Sequence, residues 1–184
     1  LLSELFIMLV YKDLLSGDEF LSDAFKLLPV VDAEGKPVEG LMMVTSKNIP
    51  KGEDNIDIGC GNAFGGEAEE IVDPNVEMVN NVVEKFGYTQ TDLGASSNFK
   101  AWIKEYMVAL LEKMKAKDVP VEERKAFKAR AAEIAKFFLS QYKDVEFYLG
   151  PSFCADSMIF SIYPEGALYP NFYYIMDGLK VEKF

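Results

Sequence analysis

The feature that most constrains this chain is a change of period along it. Phe99, Trp102, Ile103, Tyr106, Met107, Leu110, Leu111 and Met114 recur at i, i+3, i+4 and i+7, the spacing of one helix face. Lys100, Lys104, Glu105, Glu112 and Lys113 occupy the other side, so the stretch predicts an amphipathic helix of about five turns. Ser96 or Ser97 is placed to cap its start. Asp118-Val119-Pro120 breaks the pattern, and proline suits the first turn of a second helix. Glu122 and Glu123 favour the positive end of that helix. Phe127, Ala131, Ile134, Phe138 and Tyr142 form its apolar stripe. Two helices with so short a break predict a helical hairpin over about 96–142.

On both sides of the hairpin the pattern is that of strands. Residues 5–12, 25–31 and 38–46 are short apolar runs, and Asp32-Ala33-Glu34-Gly35-Lys36-Pro37 between the last two reads as a β-hairpin loop. Residues 71–88 regain valine and aromatic content and are expected to return to the sheet. After the helices, 145–150, 157–163 and 171–176 read as strands, and Asp177-Gly178 predicts a two-residue hairpin leading to Leu179-Lys180-Val181. Strands, helical hairpin, strands: the fold class is α+β, with the hairpin as an insertion. From about 48 to 70, Gly, Asp, Glu and Asn dominate and predict a long flexible acidic loop.

Charge and composition narrow the function. The formal net charge of −11 argues against nucleic acid as the primary partner, because phosphate binding needs a basic footprint. The chain has no histidine, which removes imidazole catalysis and imidazole metal ligation. Its two cysteines, Cys60 and Cys154, cannot build a four-ligand zinc site. Residues 1–11 are apolar but carry Glu4 and no basic n-region, which makes a poor signal peptide. No run reaches membrane-spanning length. The expectation is a soluble, cytoplasmic protein.

One motif invites an enzymatic reading. Asp57-Ile58-Gly59-Cys60-Gly61 is spelled like the glycine-rich loop of an S-adenosylmethionine-dependent methyltransferase. Such a loop needs a buried strand before it and a helix behind it. Here Pro50-Lys51-Gly52-Glu53-Asp54-Asn55 precedes it and Gly65-Gly66-Glu67-Ala68-Glu69-Glu70 follows, and neither stretch reads as the element required. No nucleophile–base constellation replaces it, and the chain reads as a binding protein rather than an enzyme.

Several separated motifs, in order, resemble the translationally controlled tumour protein family, also called fortilin or histamine-releasing factor. The run from Met8 to Asp23 looks like that family's opening, and Ile58-Gly59-Cys60-Gly61-Asn62-Ala63 is similar to its first signature. Trp102-Ile103-Lys104-Glu105-Tyr106-Met107 resembles its first helix. Phe147-Tyr148-Leu149-Gly150 followed by Asp156-Ser157-Met158-Ile159 resembles its second signature, and Asp177-Gly178-Leu179 through Glu182-Lys183 its C-terminal part. Phe64, Gly65 and Pro151 depart from the usual pattern. The resemblance implies a single domain over 8–184, with 1–7 an artificial or upstream extension, and a β-tent sheet core carrying the helical hairpin and the long loop.

The resemblance also implies a multi-partner regulator of growth and survival. The implied partners are tubulin or microtubules, a Rheb-type small GTPase, an elongation factor and Bcl-type survival proteins. No cofactor is required, weak calcium binding is implied, and family members are also nuclear or secreted without a signal peptide. Glu19 matches the acidic residue implicated in GTPase contact; otherwise Asp18 and Glu19 are ordinary chemistry after Gly17. Arg124, Lys125, Lys128, Arg130 and Lys136 give the second helix a basic side that fits acidic tubulin, or simply its solvated face. Asp54, Asp57, Glu67, Glu69 and Glu70 are candidates for weak calcium binding, without the rigid spacing of an EF-hand. Three functions are therefore separable: a regulator that binds without turnover, an exchange factor that depends on Glu19, and a calcium buffer.

Overall fold

The computed structural model describes residues 7–52 and 75–184. Its centre is a six-stranded antiparallel sheet. In chain order the strands are β1 (Leu9–Asp13), β2 (Glu19–Ser22), β3 (Leu28–Val31), β4 (Pro37–Thr45), β5 (Asn48–Pro50), β6 (Met78–Asn80), β7 (Thr89–Thr91), β8 (Val145–Leu149), β9 (Ile159–Ile162), β10 (Asn171–Ile175) and β11 (Leu179–Lys183). The central sheet runs β3-β4-β10-β9-β8-β7, a second sheet runs β11-β1-β2, and β5 and β6 pair as a ribbon. The α+β expectation holds.

Alternation along the strands gives the central sheet two apolar faces. One face carries a row across neighbouring strands: Phe147 lies opposite Phe160, Phe160 opposite Tyr173, Tyr173 opposite Met43, and Met43 opposite Leu28. On that row sit helices α2 (Ser96–Ala116) and α3 (Val121–Ser140), inserted between the adjacent strands β7 and β8. Phe99 near the start of α2 meets Phe138 near the end of α3, with ring centroids 6.2 Å apart, so the helices are antiparallel. Phe138 in turn lies 4.5 Å from Phe160. Of the predicted stripe, Phe127, Ala131, Ile134 and Phe138 are buried as expected, whereas Tyr142 lies beyond the end of α3 in a 3-10 turn (Tyr142–Asp144) and is half-buried.

The other face is covered by the three-stranded sheet and a short helix, α1 (Asn81–Phe86). All four residues of β9 are buried, as a strand covered on both faces must be.

Four sequence expectations change here. The valine-rich stretch 71–88 does not simply rejoin the sheet: its described part forms β6, then α1, then leads to β7. Asn80 caps α1 by accepting N–H bonds from Val82 (3.0 Å) and Val83 (3.3 Å), and Gly87, with φ +67°, ends it in the left-handed conformation. Val82 and Phe86 then share one helix face and fill the second core. Within the acidic loop, 48–50 are strand β5; 53–70 lie outside the described residues. Neither Ser96 nor Ser97 caps α2, whose N-cap is Ala95, and Pro120 caps α3 from outside rather than filling its first turn.

Asp177-Gly178 is not a hairpin turn. Met176–Gly178 is a 3-10 turn that carries the chain from β10 in one sheet to β11 in the other. Tertiary contact dictates this. A Cβ on Gly178 would stand 2.0 Å from the Tyr106 hydroxyl, so only glycine lets the backbone cross α2 there. Asp177 is held by α3: its carboxylate accepts Arg130 Nε–H at 3.1 Å and Nη2–H at 2.8 Å.

Candidate functional site

Glu19 opens β2 and is exposed, whereas the next three residues, Phe20, Leu21 and Ser22, are buried. The strand is therefore anchored by its apolar residues and presents one carboxylate at its start. It faces Lys12 across the β1–β2 pair, just where the register shifts. Lys12 is bound elsewhere, to Glu182 at 2.8 Å. That hydrogen bond raises the Lys12 pKa, with Glu19 adding a smaller attraction. Among the described residues Glu19 itself has no ion pair.

The turn before Glu19 is held at three points. Asp13 is 3% exposed, and its Oδ2 accepts the Ser16 N–H at 2.6 Å, the Ser16 hydroxyl at 2.7 Å and the Leu15 N–H at 3.2 Å. Asp18 Oδ2 accepts the Ser152 hydroxyl at 2.6 Å and its N–H at 3.1 Å, fastening the turn to the β8–β9 connection. On the far side, the Tyr88 hydroxyl donates to the Phe20 carbonyl, and the Tyr174 hydroxyl lies 2.8 Å from that of Tyr88. Tyr88 and Tyr174 are both buried, and burial raises both pKa values. They stay neutral donors. The local chemistry is that of a preorganised acidic contact: a carboxylate without an ion pair among the described residues, on a frame whose hydrogen bonds are formed before binding.

Sequence reasoning found Glu19 but missed its supports, Asp13, Asp18, Ser152 and Tyr88. For Asp13 and Asp18 the signal was only an acid-rich turn beside a serine. For Ser152 and Tyr88 there was none, because they reach Asp18 and Phe20 from segments distant in the chain.

The basic set on α3 separates into different roles. Arg130 is mostly covered, with 21% of its side chain exposed, and it bridges Asp177 and Glu123. Its pKa is raised first by the Asp177 hydrogen bond. Lys136 pairs with Glu133 at 3.3 Å, and Arg124 is half-buried with its Nε out of solvent. Lys125 and Lys128 are exposed, and neither has an ion pair among the described residues. Of the five, Lys125 and Lys128 are the exposed cations without an ion pair among the described residues; Arg124 also has none but is half-buried.

Asp54, Asp57, Glu67, Glu69 and Glu70, with Cys60 and the first signature, lie outside the described residues. Among the described residues no group of three or more His, Cys, Asp or Glu is placed to hold a metal ion, and no helix is long and apolar enough to cross a membrane. The aromatic stripe of α2 is structural. Phe99 is fully buried, and Trp102 stacks on Tyr106 at 5.0 Å while donating its Nε1–H to the Ala155 carbonyl at 2.8 Å.

Comparison with known proteins accords with this architecture. The family model described as translationally controlled tumour protein matches residues 8–180. Translationally controlled tumour protein homologues of Theileria parva and Theileria annulata are each 33% identical over 178 residues, covering 96% of this chain and all of theirs. Among solved structures, the tumour-associated protein p23fyp of Schizosaccharomyces pombe superposes with a TM-score of 0.71 at 30% identity, covering 96% of this chain and 99% of its own. The Caenorhabditis elegans protein, at 21% identity and a TM-score of 0.62 over 96% of this chain and 98% of its own, shares the fold. The match along nearly the whole chain, in sequence and in structure, places it in the translationally controlled tumour protein family.

Proposed function

We propose that this chain is a regulator that acts by binding other proteins, and that the β2 turn is its contact for a Rheb-type small GTPase. One observation supports the reading above the others: Glu19 is an exposed carboxylate, without an ion pair among the described residues, at the start of a strand whose next three residues are buried. A carboxylate held this way meets a basic residue of a partner without first breaking an internal salt bridge. Lys125 and Lys128 supply a second, oppositely charged contact that suits an acidic partner such as tubulin. Elongation factors and Bcl-type proteins remain partners implied by family membership.

Release of fluorescent GDP from a Rheb-type GTPase tests the first contact, using the chain and its Glu19→Ala variant. Acceleration lost in the variant makes the chain an exchange factor acting through this turn. Binding without acceleration, weakened by the substitution, makes it an adaptor. Equal behaviour of both proteins removes Glu19 from the contact. Cosedimentation with microtubules, lost on Lys125→Glu/Lys128→Glu, tests the second contact. A saturable calcium titration with no partner binding would instead identify a calcium buffer.

A further inference from the structure

We propose that the cleft between the β3–β4 hairpin and α3 is a docking groove for a basic amphipathic segment of a partner protein. It is distinct from the Glu19 turn and does not depend on that assignment. The cleft has a volume of about 610 Å³. Its floor is apolar: Val38 is buried, Phe137 half-buried, and Ala126 and Ala129 leave the α3 side low. Alanines at i and i+3 on an exposed helix face leave room for another chain's side chains.

Charge identifies the occupant. The cleft is lined by four acids and three bases, but the bases are largely spoken for. Arg130 is held by Asp177 and Glu123, and Lys136 by Glu133. That leaves Asp32, Glu34 and Glu39 against Lys36 alone, with no ion pair on any of them among the described residues. The hairpin lip is rigid, because Asp32 Oδ1 accepts the Glu34 and Lys36 N–H groups, both at 2.9 Å. An apolar floor below an acidic rim fits a segment with bulky apolar residues on one side and lysine or arginine flanking them. A second copy of this chain is disfavoured, since each carries a net charge of −11.

The test is fluorescence anisotropy with a labelled peptide of leucine and lysine at helical spacing, and with its counterpart carrying glutamate for lysine. Binding of the lysine peptide is expected to weaken about tenfold or more in Glu34→Lys/Glu39→Lys. It should weaken comparably in Ala129→Trp, which fills the floor from an exposed helix position and leaves the rim charges in place. A control, Glu105→Lys/Glu112→Lys, changes net charge by the same amount at exposed sites on α2 and is expected to weaken binding less than threefold, about the long-range share alone. Thermal melts identify folded variants, and Glu39→Gln serves if the double reversal unfolds. The proposal is overturned if the control weakens binding as much as the rim reversal, or if Ala129→Trp has no effect. It is also overturned if the glutamate peptide binds equally well, or if sedimentation shows the chain pairing with itself through this face.

Discussion

The two faces of the central sheet are covered in different ways. The helical hairpin covers one face with local structure: its 21-residue and 20-residue helices each bring a continuous apolar stripe. Aromatic rings run through both interiors, from Phe99 and Phe138 to Phe160 and Phe147 on this one and from Phe20 and Phe86 to Tyr148 and Phe172 on the other. The other face is covered by short pieces drawn from both ends of the chain, β1, β2 and β11, with α1 added. Its interior includes polar groups, the Tyr174–Tyr88–Phe20 chain among them. A face covered by local helices assembles mainly by apolar burial, with the Arg130–Asp177 and Trp102–Ala155 contacts fixing its edges. A face built from distant segments needs specific hydrogen bonds to fix how they meet. The site that presents Glu19 lies on the second kind of surface.

Alkali should break both faces, through Tyr88, Tyr174 and Tyr148 on the second and through Tyr106, whose pKa burial also raises, on the helical one. Tyr88 and Tyr174 are buried with raised pKa values, and Tyr148 is pushed up to about 12, chiefly by burial. A folded-state pKa above the unfolded value of about 10 favours the protonated, folded form. That stability is fully present below pH 10 and is lost as pH rises through 12 and beyond. Circular dichroism against pH should show cooperative unfolding above pH 10, with a shallower loss in Tyr148→Phe. Unfolding that is independent of pH up to 12 would contradict the role given to these hydroxyls.

On the helical face, Phe138→Ala should cost about 3–5 kcal/mol in urea unfolding, since its ring is fully enclosed by Phe99, Phe160 and Tyr173. At the junction of the two faces, Gly178→Ala forces a methyl group against the Tyr106 hydroxyl and should cost about 1–3 kcal/mol. Tyr106→Phe in the same chain should recover part of that loss, which separates a local clash from general backbone strain. The smallest effect sharpens the comparison: Asn80→Ala removes the α1 cap and should cost about 1 kcal/mol. Because α1 packs against β2, hydrogen exchange should report the change on the second face while amides of α2 stay protected.

What the sequence determined by itself was whatever depends on residues near one another in the chain. The helical hairpin followed from a period sustained over many turns, the Asp32–Pro37 loop from its turn residues, and most strands from short apolar runs. The candidate carboxylate Glu19 was legible too, but by resemblance rather than by local pattern. Tertiary structure alone decided the rest. Residues 81–86 became a helix although they read as strand, because an Asn80 cap and a Gly87 terminator combined with a core that needed Val82 and Phe86 on one face. Asp177-Gly178 reads locally as a hairpin turn, yet the chain passes there between two sheets, since Arg130 takes the carboxylate and Tyr106 leaves space only for glycine. The basic helix divided for the same reason: Arg130 became an internal bridge once Asp177 was brought within 2.8 Å. A local pattern records what a segment can do, and contacts between segments far apart in the chain select which of those options is used.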